Sequence, residues 1–222
     1  MLIFAAASLT DALAEVESAF ETAYPDVDVL LNLAGSSALR EQILEGAPAD
    51  AFLSANASNM DQVVEAGEAE DSEIFATNVL QIAVPAGNPA GVIGLETFAD
   101  NALLIGLCAE EVPCGDFGRQ ALDNAGVTPA IDTNEPDVRA LLTKIAEGEL
   151  DAGIVYVTDV LAPDFADDVE GIDIPAEVNV VAAYPIAALV GAPNPDAASA
   201  FVDFVLSDAG QAILSEYGFG SP

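Results

Sequence analysis

Ser8, the neighbouring Ser36 and Ser37, the cysteines Cys108 and Cys114, and Tyr156 are the residues whose types and positions could hold or attack a ligand. Their chemistry is narrowed by an absence, because the 222-residue sequence contains no histidine. Without an imidazole there is no Ser–His or Cys–His dyad, no usual general base and no commonest transition-metal ligand. None of the three serines sits in a G-x-S-x-G elbow. The residues therefore point to binding without catalysis. A hydrolase built on Ser8 or Ser36 is the alternative from a different class, and ester turnover abolished by Ser8→Ala would be its signature.

Each candidate lies where a strand-like run gives way to a helix-like one. Ser8 follows Leu2–Ala7 in A-A-A-S-L-T-D, where Ser8-x-x-Asp11 also matches a capping box. Ser36 and Ser37 follow Gly35 at a predicted helix start and have no capping-box partner three residues on. Free amides and two hydroxyls at such a point suit an anion, since first-turn N–H groups are unpaired and the helix dipole is positive there. Cys114 lies in E-V-P-C-G-D, just after Leu103–Cys108, and its expected donor is the backbone N–H rather than the sulfur. Val138, in N-E-P-D-V-R, offers a first-turn N–H, with core packing as the plainer role. Tyr156 lies near the end of the run Ile154–Val157 and carries a phenolic O–H. Taken jointly, the five turns supply neutral donors only, which suits an oxyanion that carries no acidic proton.

The two cysteines are too few for a four-thiolate zinc site, and C-x5-C is not a thioredoxin-type pair. A Cys108–Cys114 disulfide closing a short loop is expected, which implies an oxidising compartment. Two reduced thiols are the alternative.

These turns must be positioned by an α/β scaffold. Strand-like runs at Leu2–Ala7, Val27–Leu33, Ala51–Ser54, Val79–Val84, Leu103–Cys108, Ile154–Val157 and Val180–Val190 alternate with helix-like segments, the pattern of a parallel α/β sheet. The helices are placed at about Leu9–Tyr24, from Gly35–Ser37 to Gly46, and at Met60–Ala66, Phe117–Ala125, Val138–Glu147, Ala197–Leu206 and Ala209–Tyr217. Pro136 is read as the starter of the helix over 138–147. Two long apolar segments, Val79–Pro85 and Ala182–Leu189, could each cross between lobes. That would place residues 1–80 and 184–222 in lobe one and 81–183 in lobe two, although one doubly wound domain gives a similar pattern.

Together, F-A-A-A-S-L-T-D-A, A-G-S-S-A-L, G-A-P-A-D-A-F-L-S-A, V-P-C-G, P-D-V-R-A-L, G-I-V-Y-V-T-D and the closing E-Y-G-F resemble the periplasmic molybdate-binding proteins of ABC uptake systems, in order and spacing along nearly the whole chain. The resemblance implies a two-lobed periplasmic-binding-protein fold: two doubly wound α/β domains joined by two crossover segments, with molybdate or tungstate in the cleft. Its ligand set falls on Ser8 and Ser36 (hydroxyl and backbone N–H), Cys114 and Val138 (backbone N–H) and Tyr156 (hydroxyl). It implies no enzyme activity, no cofactor and no protein–metal bond, since molybdenum enters as its oxyanion. It also implies a membrane permease as partner, a monomeric binder, and a periplasmic or extracellular location. Cys114 departs from the small, sulfur-free residue familiar at that place, which a backbone donor tolerates.

Composition sets the remaining limits. Hydrophobic residues make up 52% of the chain, enough for a sizeable core, yet no apolar run reaches the roughly 18 residues of a membrane helix. Met1 leads directly into an apolar run with no basic region or cleavage site, so the protein is expected either to be cytosolic or to follow a removed export signal or lipid anchor. Thirty-eight Asp and Glu against 4 Lys and Arg give a net charge of −34, which opposes nucleic acid. No D-x-[DN]-x-[DN]-G loop gathers those carboxylates around a cation. Sulfate or another tetrahedral oxyanion on the same fold is the nearest alternative ligand, whereas phosphate retains a proton that calls for an acceptor carboxylate. The effector domain of a transcription regulator would need a helix-turn-helix, and the chain opens at its first strand.

Overall fold

A computed structural model describes all residues, Met1–Pro222, and its backbone contacts divide the chain into two compact units. Unit one comprises Met1–Thr77 and Ala183–Pro222, and unit two Asn78–Ala182. The chain passes between them within two strands.

In unit one, β1 (Leu2–Ala6) leads through a 3-10 turn (Ala7–Leu9) into α1 (Thr10–Ala23). Then come β2 (Leu30–Ala34), α2 (Ser36–Leu44), β3 (Ala51–Leu53) and α3 (Ala57–Glu65). Strand β4 (Glu73–Pro85) carries the chain into unit two. There it forms β5 (Ile105–Cys108), α4 (Pro113–Asn124), β6 (Thr133–Glu135), α5 (Val138–Ala146), β7 (Ala152–Tyr156), the single-turn α6 (Val157–Val160) and β8 (Val169–Asp173). Strand β9 (Val181–Ala188) returns it to unit one, where α7 (Pro195–Leu206) and α8 (Asp208–Glu216) follow.

The unit-one strands lie in the order β2–β1–β3–β9, the first three parallel and β9 antiparallel to β3. Central β1 is an unbroken apolar run, buried from Ile3 to Ala6 and flanked by the parallel strands β2 and β3, as befits a strand with both faces covered. Phe4, Phe52, Leu39, Ile43, Met60 and Val63 form one core between this sheet and α2 and α3. Helix α1 buries Leu13, Val16 and Phe20, spaced for one helical face. Phe20 meets Phe201 and Phe204 of α7 edge-on, with ring centroids 5.2 and 5.6 Å apart.

In unit two, β7 pairs parallel with β5 and antiparallel with β4, β5 pairs parallel with β6, and β8 adds antiparallel to β4. The parallel pattern read from the alternation holds among β1, β2 and β3 and among β5, β6 and β7, and β4, β8 and β9 add antiparallel pairings that make the sheet of each unit mixed. Strands β6 and β8 were not anticipated. The three residues of β6 are Thr, Asn and Glu, and only Val169 of β8 is buried, so neither carries an apolar signal. Helix α4 starts at Pro113, four residues earlier than the apolar pattern places it, with proline at the first helical position. Helix α5 is capped by Asp137, whose carboxylate accepts from the Ala140 N–H at 2.9 Å, so Pro136 lies outside the helix instead of starting it.

Candidate functional site

The five candidate residues all stand at carboxyl ends of parallel strands. In unit one, Ser8 follows β1 and Ser36 follows β2, and these adjacent strands are in register with Ala6 opposite Ala34. In unit two, Cys114 follows β5, Val138 follows β6 and Tyr156 closes β7, the three strands lying side by side as β6–β5–β7. Each unit therefore gathers its own candidates at one sheet edge, where ligands of open α/β sheets bind.

Ser36 and Ser37 are the first two residues of α2, with Gly35 as an extended cap that offers no side chain. Their N–H groups precede the helical ladder, which begins when Leu39 donates to the Gly35 carbonyl at 3.1 Å. The Ser36 hydroxyl is buried and accepts the Ala55 N–H at 3.0 Å. Ser8 is also buried and makes no capping box, since α1 is capped by Leu9 without a side-chain bond. Its hydroxyl lies 3.0 Å from that of Tyr184, a fully buried residue of β9 packed against Phe75 and Phe219. Nothing local in the sequence marks Tyr184, because its partner is 176 positions away.

Cys114 is the second residue of α4 and follows a proline, so its N–H is the first that the helix presents. Cys108 and Cys114 form the expected disulfide, with Cα atoms 5.7 Å apart. Gly115 is required beside it: a Cβ there would lie 2.0 Å from the Ala109 carbonyl oxygen. Arg119 reaches back over the same turn, donating to the carbonyls of Cys108 at 2.9 Å and Gly115 at 2.8 Å and to Asn134 Oδ1 at 2.6 Å. Val138 is the first residue of α5, and its N–H likewise precedes the helical ladder. The next residue, Arg139, has its Nε 3.4 Å from the fully buried carboxylate of Asp159. The other oxygen of that carboxylate accepts the Tyr156 N–H at 3.0 Å, and Tyr156 itself is buried.

Charge around these turns is arranged indirectly. No acidic residue occupies the first turn of α2 or α5. Behind α5, burial alone would raise the Glu135 carboxyl, but hydrogen bonds from Lys144 (2.8 Å) and Thr133 (2.5 Å) hold it below the usual glutamate range. The hydrogen bond to Glu135 raises Lys144 in turn. Each unit by itself therefore offers first-turn amides and a buried hydroxyl at its strand ends, donor chemistry that suits an anion. No group of three or more His, Cys, Asp or Glu side chains is placed to hold a metal ion.

The family of bacterial extracellular solute-binding proteins matches residues 1–220. The molybdate-binding protein ModA of Mycobacterium tuberculosis is 37% identical over 223 residues, spanning 100% of this chain and 85% of that protein. Among solved structures, the periplasmic molybdate-binding protein of Azotobacter vinelandii superposes with a TM-score of 0.85 at 18% identity, covering 100% of this chain and 99% of that one. The sulfate-binding protein SubI of Mycobacterium tuberculosis gives 0.88 at 18% identity, covering 99% and 85%. At such identities the two structures speak to the fold alone.

Proposed function

The chain belongs to the family of bacterial extracellular solute-binding proteins, and from that premise we propose that it captures molybdate or tungstate and hands it to an ABC permease. The observation that carries the ligand is the full-length identity to a molybdate-binding protein, and the donor turns give it a physical basis. In this reading Ser8 and Ser36 donate hydroxyl and backbone N–H groups, Cys114 and Val138 donate backbone N–H groups, and Tyr156 donates its hydroxyl, all to one oxyanion. Every such donor is neutral and finds an acceptor on a fully ionised tetrahedral anion. Capture requires no chemical step, and a monomer suffices. The disulfide fits a protein that works outside the reducing cytoplasm. Selection against sulfate rests on cavity size, since molybdate has the longer bonds to oxygen.

The test is thermal unfolding with molybdate, tungstate, sulfate and phosphate. A ligand at a hundred times its Kd adds about 2.7 kcal/mol to stability. For a chain of this size that raises Tm by roughly 5–10 °C. Molybdate and tungstate are expected to give that shift. A shift with sulfate or phosphate and none with molybdate overturns the assignment.

A further inference from the structure

Arg40 is the only lysine or arginine in unit one, and it lies one helical turn along α2 from Ser36. It is not spent on a surface ion pair alone. One guanidinium nitrogen meets the neighbouring Glu41, while the other donates to Asn59 Oδ1 at 2.8 Å, and the side chain is only 14% exposed. The Asn59 amide nitrogen donates to Asn56 Oδ1 at 2.8 Å, and the Asn59 backbone N–H donates to the same oxygen at 3.1 Å, capping α3. Asn56 is fixed from its other side, where the Ser54 hydroxyl donates to its carbonyl at 2.8 Å. Between Ser54 and Asn56 lies Ala55, whose N–H donates to Ser36 Oγ. The path leaves α2 at Arg40 and returns to α2 at Ser36.

This circuit has a directional consequence. A serine hydroxyl holds one proton and two lone pairs. With the Ala55 N–H on one lone pair, the Ser36 hydroxyl keeps its proton and one lone pair for other partners. Ser54, Asn56 and Asn59 are each buried, so the chain of bonds is not exchanged for bulk water. We infer that Arg40, Asn56 and Asn59 are positioning residues that hold the Ala55 N–H against Ser36 and thereby fix its hydroxyl as a donor to a fully ionised oxyanion. The inference rests on Ser36 being a ligand, as proposed above. Unit two repeats the device with different parts, since Arg119 braces the Cys108–Cys114 turn through two carbonyls.

A double-mutant cycle in the full chain tests it, with Kd for molybdate read by calorimetry and apo Tm recorded for each variant. Asn59→Ala and Arg40→Met are expected to weaken molybdate roughly tenfold, in line with one charge-assisted hydrogen bond. Arg40→Lys, which keeps a donor for Asn59, is expected to recover most of that loss. The decisive arm is coupling: Ser36→Ala combined with Asn59→Ala should bind no more weakly than Ser36→Ala alone. A loss of affinity that arises independently of the Ser36 hydroxyl would instead multiply with the Ser36 effect. Wild-type affinity in Asn59→Ala and Arg40→Met, or losses that multiply in the double variant, overturns the positioning role while leaving the molybdate reading intact. A wild-type chain that binds no molybdate overturns both.

Discussion

At the scale of single residues, the proposed site depends on backbone donors, and side-chain replacement alone does not test those. Val138 offers an unusual opportunity. It occupies the first helical position of α5, where proline is tolerated because that N–H has no helical acceptor. The preceding Asp137 already has the extended conformation that a following proline demands, with φ −159° and ψ 172°. Val138→Pro therefore removes one proposed ligand atom with little effect on the helix. Molybdate affinity is expected to fall roughly tenfold to a hundredfold, the worth of a hydrogen bond to a charged group. Stability should change by no more than about 1–2 kcal/mol, the cost of trimming one buried valine. Val138→Ala, which keeps the N–H, is the control, and equal affinity losses in both variants would show that packing, not the amide, matters. The disulfide gives the complementary case. Cys108→Ser with Cys114→Ser keeps the backbone N–H at position 114, so binding should survive, while the loss of a cross-link over 6 positions costs about 2 kcal/mol. Chemical denaturation alongside calorimetry separates the two effects. The strand-to-helix turns that carry the proposed donors were legible in the sequence because serine, proline and glycine punctuate such turns. Tyr184 and Asn59 were not, because their roles come from partners brought near only by folding.

At the scale of elements, strongly periodic segments were readable and polar ones were not. Helix α1 shows its buried face in the spacing of Leu13, Val16 and Phe20, and Phe20→Ala, which opens a cavity against Phe201 and Phe204, should cost about 3–5 kcal/mol by denaturant unfolding. The start of α4 was hidden because its first turn, P-C-G-D, is small and polar although the fold buries its first three residues. Strand β6 shows no apolar pattern at all, yet it carries Glu135, whose pairing with Lys144 ties β6 to α5 and so holds the turn that presents Val138. Burial opposes the ionised Glu135, but its hydrogen bonds lower the folded-state pKa, so its contribution exists above the ordinary value of 4.5 and is lost as pH falls through the lowered one. The Lys144 pKa is raised, so its contribution is present below 10.5 and is lost as pH rises through the raised value. The Tm deficit of Lys144→Gln relative to wild type should therefore be level across the near-neutral range and shrink once Glu135 protonates. A deficit that is unchanged in acid would mean that Lys144 acts through packing of its stem.

At the scale of the whole molecule, the excess of carboxylates and the capture of an anion pull in opposite directions. The four cations that the chain does possess are Arg40, Arg119, Arg139 and Lys144, and each hydrogen-bonds or ion-pairs behind a proposed ligand turn. The net charge of −34 is left almost wholly uncompensated elsewhere. Such a surface repels a divalent anion at long range and also repels itself. On α1, partial burial first and then Glu21 and Asp28 raise the Glu17 carboxyl above its ordinary 4.5, so the folded state favours its neutral form. Its contribution is therefore present below that value and becomes a penalty as pH rises through the raised one. Glu17→Gln should accordingly raise Tm at neutral pH, lose that gain in acid, and lose part of it in salt. The same screening governs capture. The Debye length shortens from about 30 Å at 0.01 M to about 8 Å at physiological ionic strength. Stopped-flow association with molybdate should therefore accelerate as sodium chloride is added over that range, the reverse of an electrostatically steered binder, while dissociation, set by short hydrogen bonds in the site, should change little. An association rate that falls with salt would mean that the local field of the braced arginines and helix N-termini outweighs the acidic surface.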